Sequence, residues 1–227
     1  PQFDSGVMLG FKTTRKLLSK GDVVLMLGKP STESHLFSDA IQLFMDPDTK
    51  LIHMDVDPTE IGKTQPTEVG IIADLKVGLE ELAEALSGSM SGSLKEAAKG
   101  RAAALATEKN AAQVAWKHRL RERWDHHPMF DERMVSEIAE VLPEDVTILR
   151  DASTSGAALA QVFQFDKPDR LFGMRGGAIG WGMGGAMGLK LAQPDRPVVA
   201  FVGDGTAMMT IQALWTAAVE NIPVVYV

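Results

Sequence analysis

The chain contains no cysteine, which excludes disulfides and thiolate chemistry within it and is compatible with a cytoplasmic home. It has no long basic run, and its net charge is −7; both argue against nucleic acid or an anionic membrane as the main partner. No secretory signal is present, and no apolar stretch approaches the length that spans a bilayer. There is one tyrosine against twelve methionines, and methionine more often fills gaps in a core than builds a site. What remains is ordinary for a globular protein: 45% hydrophobic and 23% charged residues over 227 positions, enough for one large or two moderate domains. The chain opens on Pro1 rather than Met and closes inside an apolar run with no helix after it, so it is expected to be a piece of a longer polypeptide.

Periodicity divides the chain. Residues 6–18 space Val7, Phe11 and Leu18 as one helical face. Val23 to Leu27, Leu51 to Asp57 and Val69 to Ala73 are short apolar or alternating runs that predict strands, and Asp74 is placed to cap a helix reaching Leu86. Strands alternating with helices make residues 1–86 part of an open α/β domain. The small residues from Ser87 to Ser93 predict a linker, and Leu94 to Trp124 reads as a long helix with a solvated charged face, so 87–124 forms a linker-and-helix segment. His53 is expected as a partly buried strand residue, and His126 with His127 as a solvated loop, rather than as metal ligands.

From 125 to 227 a second α/β domain follows. Its expected elements are a helix from Phe130 to Leu142, a strand from Val146 to Leu149, a helix from Ala157 to Phe163, a strand over 197–202, a helix from Met208 to Glu220 and a strand from Ile222. Three turns stand out. Ser153, Thr154 and Ser155 offer more hydroxyls than one helix cap needs, so a phosphate on the following helix start is an alternative partner. Between Gly173 and Gly188 half of the sixteen residues are glycine. No clear apolar strand stands before them, which argues against a dinucleotide fingerprint; Gly184, Gly185 and Gly188 suit a tightly packed helix, and Gly176 and Gly177 a backbone approach to a ligand. In Gly203-Asp204-Gly205-Thr206 the glycines permit positive φ. Asp204 ends a buried strand, where it either caps the next helix or ligates a hard cation. Open α/β sheets bind ligands at that carboxyl edge.

Taken in this order, the Gly203-Asp204-Gly205 turn, the stretch Ile211 to Ala218 and the strand after Pro223 resemble the thiamine diphosphate motif of the 2-keto acid decarboxylase and acetohydroxyacid synthase superfamily. Residues 51–86 are similar to the end of that group's central domain. Ser153 to Ser155, with Ala213 to Ala218 beside Asn221 to Pro223, place the resemblance nearest to benzoylformate decarboxylase. The resemblance implies open parallel sheets flanked by helices, with a partial central domain and a C-terminally truncated diphosphate-side domain. It implies thiamine diphosphate and Mg²⁺ as cofactors, a small 2-keto acid as substrate, and non-oxidative decarboxylation through a thiazolium ylid. Asp204 would bind Mg²⁺. Thr154, Ser155, Gly203, Gly205 and Thr206 would surround the diphosphate, the Gly177 carbonyl would accept from the aminopyrimidine, and Ile179 would be the apolar wedge that bends the cofactor.

The group's activating glutamate belongs to an N-terminal domain absent from this chain, and the second metal side chain is missing as well, so this stretch alone is expected to bind cofactor weakly or not at all and to be inactive. Sites in the group form between subunits, which implies a homodimer or homotetramer. An acetohydroxyacid synthase-like carboligase and a catalytically silent cofactor-binding homologue are the alternatives, with a nucleotide-binding protein built on the glycine-rich stretch as a further one.

Overall fold

The computed structural model describes residues 18, 20–28, 48–63, 65–163, 165, 167–173 and 178–227. They fall into two compact units, one within Met8–Ala104 and one comprising Leu105–Val227. The helix expected over 6–18 lies, apart from Leu18, outside the described residues.

In the first unit, β1 (Val23–Leu27), β2 (Lys50–Asp55) and β3 (Val69–Ile72) form a parallel sheet in that spatial order. Helix α1 (Leu75–Ser89) starts where Asp74 accepts hydrogen bonds from the N–H groups of Lys76 and Val77, as the sequence predicts. It lies so close to β2 that a Cβ at Gly78 would sit 2.8 Å from the Met54 sulfur. His53, expected to be partly buried, is 1% exposed, and neither ring nitrogen has a hydrogen-bond partner. Beyond β2, hydrogen bonds from the Thr59 hydroxyl and backbone hold the Asp57 carboxyl below its usual range.

The expected linker is mostly helix. Ser87 and Ser89 each donate to the carbonyl four residues back, at 2.8 Å, so the small residues satisfy themselves locally and α1 continues through Ser89. Only Met90 and Ser91 separate it from α2 (Gly92–Glu122), which buries no residue along its length, in keeping with a solvated charged face.

The second unit is built on a four-stranded parallel sheet of spatial order β5–β4–β6–β7, with β4 Thr147–Asp151, β5 Leu171–Gly173, β6 Val198–Val202 and β7 Val225–Tyr226. Alternation within β4 and β6 supplies two cores. Val146, Ile148, Val199 and Phe201 pack with Val135 of α3 (Asp131–Val141) and with Ala158 and Leu159 of α4 (Ser155–Val162). Leu149, Val198 and Ala200 pack with Ala186 of α5 (Gly182–Ala192). Each fully buried side chain of this size contributes about 1.5–3 kcal/mol, so the two helical layers hold the sheet from both faces. Two short helices, α6 (Asp204–Met209) and α7 (Ala213–Val219), complete the crossover from β6 to β7 and pack against α5.

Three expectations change here. A strand, β5, does precede the glycine-rich stretch; at three residues with an exposed–intermediate–exposed pattern it leaves no apolar run to read. The single helix expected over 208–220 is two helices: α6 begins four residues earlier, and its C-cap Thr210 has φ −140° and ψ 33°. Gly203 is extended at φ −60°, and Gly205 is absent from the positive-φ glycines, so left-handed backbone is not why glycine stands at these positions. Among the described residues, no helix is long and apolar enough to cross a membrane.

At the sheet edge, Tyr226 donates to the Met183 carbonyl at 2.8 Å, and burial lifts its phenol above its ordinary range. The unfolded phenol therefore ionises first as pH rises past about 10, and stability falls from there until the folded phenol ionises too. Tyr226→Phe is expected to cost about 1 kcal/mol at pH 7 and to flatten that alkaline loss, read as melting midpoints at pH 7 and pH 11.

Candidate functional site

β4 and β6 are neighbours in register, Asp151 opposite Val202. The chain leaving β4 enters α4 on one face of the sheet, whereas the chain leaving β6 enters α6 and α7, which pack with α5 on the other. Adjacent strands whose connections depart to opposite faces open a crevice at their carboxyl ends, the topological switch point where open α/β sheets take ligands. The Ser153–Ser155 turn and the Gly203–Thr206 turn flank that point, tied by a hydrogen bond from the Gly203 N–H to the Asp151 carbonyl at 3.1 Å.

Among the described residues, the hydroxyls and the carboxylate of these two turns cap neither following helix. Thr154 holds the N-cap position of α4, but its hydroxyl makes no capping bond. Thus the capping reading of the hydroxyl cluster does not hold. Ser153 and Thr154 are exposed and Ser155 is part-buried. The cap of α6 is Gly203, again without a side-chain bond, so Asp204 does not cap the helix. Asp204 is instead its first residue, exposed, with its carboxylate facing no partner among the described residues. Gly205 is exposed, and a Cβ there would meet nothing within 4 Å of the chain, so the fold itself does not require glycine. Thr206 is 9% exposed and lines the inner side of the turn.

The glycine-rich stretch is brought to the same edge by a residue to which the sequence reading gives no role. Asp151 shares the α5 face of β4 with Leu149, and it is 4% exposed. Its Oδ2 accepts from the N–H groups of Gly180 at 3.3 Å and Gly182 at 2.8 Å. Ile179, next to Gly180, is 48% exposed despite being a large aliphatic side chain. Gly177 and Gly176 lie outside the described residues. Gly185 packs closely, with a Cβ there 2.7 Å from the Trp181 ring, but Gly184 and Gly188 face open space, so the expected close helix packing is confined to Gly182 and Gly185. The signal for Asp151 was a carboxylate ending an apolar strand: buried there, it has to be hydrogen-bonded.

No three His, Asp or Glu side chains converge on a potential metal position among the described residues. A hard-cation site here would rest on Asp204 together with oxygens from a ligand or another segment. The edge thus offers hydroxyls and a carboxylate without partners among the described residues, together with an exposed aliphatic side chain.

The profile described as "Thiamine pyrophosphate enzyme, C-terminal TPP binding domain" matches residues 151–227, and that described as "Thiamine pyrophosphate enzyme, central domain" matches residues 2–82. The chain is 30% identical over 231 residues to the "Probable acetolactate synthase large subunit" of Methanococcus aeolicus, covering 96% of this chain and 37% of that protein. It is 28% identical over 212 residues to the benzoylformate decarboxylase of Pseudomonas aeruginosa, covering 93% and 36%. It therefore spans a little over a third of the length of these relatives. The solved structure of a thiamine diphosphate-dependent 4-hydroxybenzoylformate decarboxylase from Rhodococcus jostii superposes with a TM-score of 0.67 at 21% identity, covering 93% of this chain and 36% of that one, which shows a shared fold. With both profiles matched in their order along the sequence, this chain belongs to the thiamine pyrophosphate enzyme family and carries sequence of its central and C-terminal domains.

Proposed function

We propose that the protein containing this chain is a thiamine diphosphate- and Mg²⁺-dependent enzyme that decarboxylates 2-keto acids without oxidation. The observation that carries the reading is the switch point between β4 and β6, where the hydroxyls of Thr154 and Ser155 and the Asp204 carboxylate make no hydrogen bond or ion pair among the described residues. Asp204 would ligate Mg²⁺, and a hard cation there would neutralise both the carboxylate and a diphosphate that the hydroxyls and backbone N–H groups of the two turns alone would hold weakly. Thr154, Ser155, Thr206 and the backbone at Gly203 and Gly205 would hydrogen-bond the diphosphate oxygens. Ile179 would lie beneath the rings, replacing water with an apolar surface and setting their bend. The Gly177 carbonyl would receive the aminopyrimidine. When bound, the cofactor supplies the carbanion and the electron sink; the protein supplies posture and electrostatics.

On this reading the enzyme works in the cytoplasm on a small 2-keto acid, binds neither nucleic acid nor membrane, and assembles as a homodimer or homotetramer. A carboligase of the acetolactate synthase kind is the second reading, favoured by the 30% identity to such a relative.

The test is product analysis. Intact protein supplied with thiamine diphosphate, Mg²⁺ and, separately, benzoylformate, pyruvate and an oxalyl thioester is expected to release CO₂ from one of the three, with an aldehyde from either keto acid or a formyl thioester from the thioester. CO₂ with a carbon–carbon coupled product moves the assignment to the carboligase. Cofactor uptake without CO₂ from any substrate overturns catalysis in favour of a silent homologue.

A further inference from the structure

Gly180 is held on both sides of its peptide unit. Its N–H donates to Asp151 Oδ2 from the end of β4, at 3.3 Å. Its carbonyl accepts from the Thr210 hydroxyl, at 2.7 Å, from the break between α6 and α7. The φ of +95° is one that L side chains rarely adopt, and a Cβ there would lie 3.0 Å from the Met209 Cβ, so the backbone is seated against the last turn of α6. Asp151 holds the same stretch a second time through the Gly182 N–H.

Neither attachment is what folding alone would select. A buried carboxylate is costly unless its hydrogen bonds are well formed, and β4 could end on an apolar residue, as β6 ends on Val202. The break at Thr210 interrupts a helical pattern that runs from Met208 to Glu220 in the sequence and leaves Thr210 outside both helices, with its hydroxyl turned to Gly180. The consequence is geometric. Ile179, adjacent to the clamped glycine, is fixed relative to α6, a helix of six residues whose first is Asp204. One rigid piece thus joins the exposed aliphatic side chain to the exposed carboxylate.

We propose that Thr210 and Asp151 are positioning residues, a clamp on Gly180 that sets the distance between the Ile179 surface and the Asp204 turn and so selects the bent pose of a bound thiamine diphosphate. This rests on the functional reading above, and it adds a role for two residues that touch neither diphosphate nor metal. A residue needed only for folding would lower the melting midpoint without singling out the cofactor. A clamp loosens the loop, weakens the ligand and leaves the rest of the unit intact.

The experiment compares wild type, Thr210→Val, Thr210→Ser and Asp151→Asn in the intact protein. Amide hydrogen exchange is followed over 178–183 without cofactor; thiamine diphosphate affinity in Mg²⁺, the near-ultraviolet circular dichroism of the bound cofactor and the cofactor-free melting midpoint are measured alongside. Thr210→Val keeps the shape and removes the hydroxyl. It is expected to exchange faster at 178–183, to bind about tenfold more weakly, the size of effect one net hydrogen bond carries, and to show an altered dichroism band, with a cofactor-free midpoint lowered by no more than the few degrees one lost hydrogen bond costs. Thr210→Ser restores all of these, and Asp151→Asn weakens binding further. The proposal is overturned if Thr210→Val matches wild type in exchange and affinity, or if Val and Ser lose affinity alike in step with the midpoint. Wild-type protein that takes up no cofactor overturns the functional reading and the clamp's role together, and the exchange data then still report whether the clamp holds the loop.

Discussion

Asp204→Ala in the intact protein is expected to abolish the cofactor-dependent rise in melting temperature and to lower kcat by about a hundredfold or more, the scale on which removal of one aligned electrostatic group acts. The two readouts separate because of what Asp204 does not do. It is exposed and bonded to nothing among the described residues, and it does not cap α6. Its only contribution to folding is its charge beside the helix N-terminus, worth about 0.3–1 kcal/mol. A cofactor at a hundred times its dissociation constant stabilises the folded state by about 2.7 kcal/mol. Removing the carboxylate should therefore leave the cofactor-free midpoint nearly in place while cancelling the much larger increment from ligand. Differential scanning calorimetry with and without thiamine diphosphate and Mg²⁺ measures both quantities. A rise that persists undiminished in the variant removes Asp204 from the metal site.

Gly182→Ala acts in the opposite way. The added Cβ would lie 2.5 Å from the Asp151 Cβ and 2.8 Å from its Oδ2. The nearer atom is not the far end of a flexible chain, so the backbone of β4 or the start of α5 has to shift. Overpacking of this kind costs about 1–3 kcal/mol, and the loss of the bond from the Gly182 N–H to a buried carboxylate adds about 1–3 kcal/mol. A total near 3 kcal/mol is expected, read as a lower denaturant midpoint at unchanged m-value. Cofactor affinity should fall with it, since the same shift moves Gly180. An alanine variant as stable as wild type would mean that the edge is softer than its contacts imply.

The sequence speaks clearly where local chemistry and tertiary context agree. β6 is announced by Val198 to Val202 because a strand buried on both faces has to be apolar throughout, and Asp74 announces α1 because its side chain does what an N-cap does. That the Ser153–Ser155 and Gly203–Thr206 turns lie side by side was legible because neighbouring strands of a parallel sheet end at one edge. Elsewhere distant atoms decide. Ser87 and Ser89 stay helical by bonding their own backbone, against a composition that reads as linker. The break at Thr210 depends on a carbonyl thirty positions away, which no window over 208–220 contains. β5 shows a single part-buried residue in three and so leaves little trace. Asp151 went unread because its partners at 180 and 182 come from a crossover whose path the sequence does not specify.

Among the described residues, the hydroxyls of Ser153 and Thr154 and the carboxylate of Asp204 make no hydrogen bond or ion pair to another part of the molecule. As far as folding is concerned, each of these rim positions can be exchanged singly without a compensating change in the interior. Asp151, Gly180 and Gly182 have no such latitude. Substitutions at Ser153 and Thr154 are therefore expected to leave the fold standing, whereas substitutions at the strand end beneath them unsettle it.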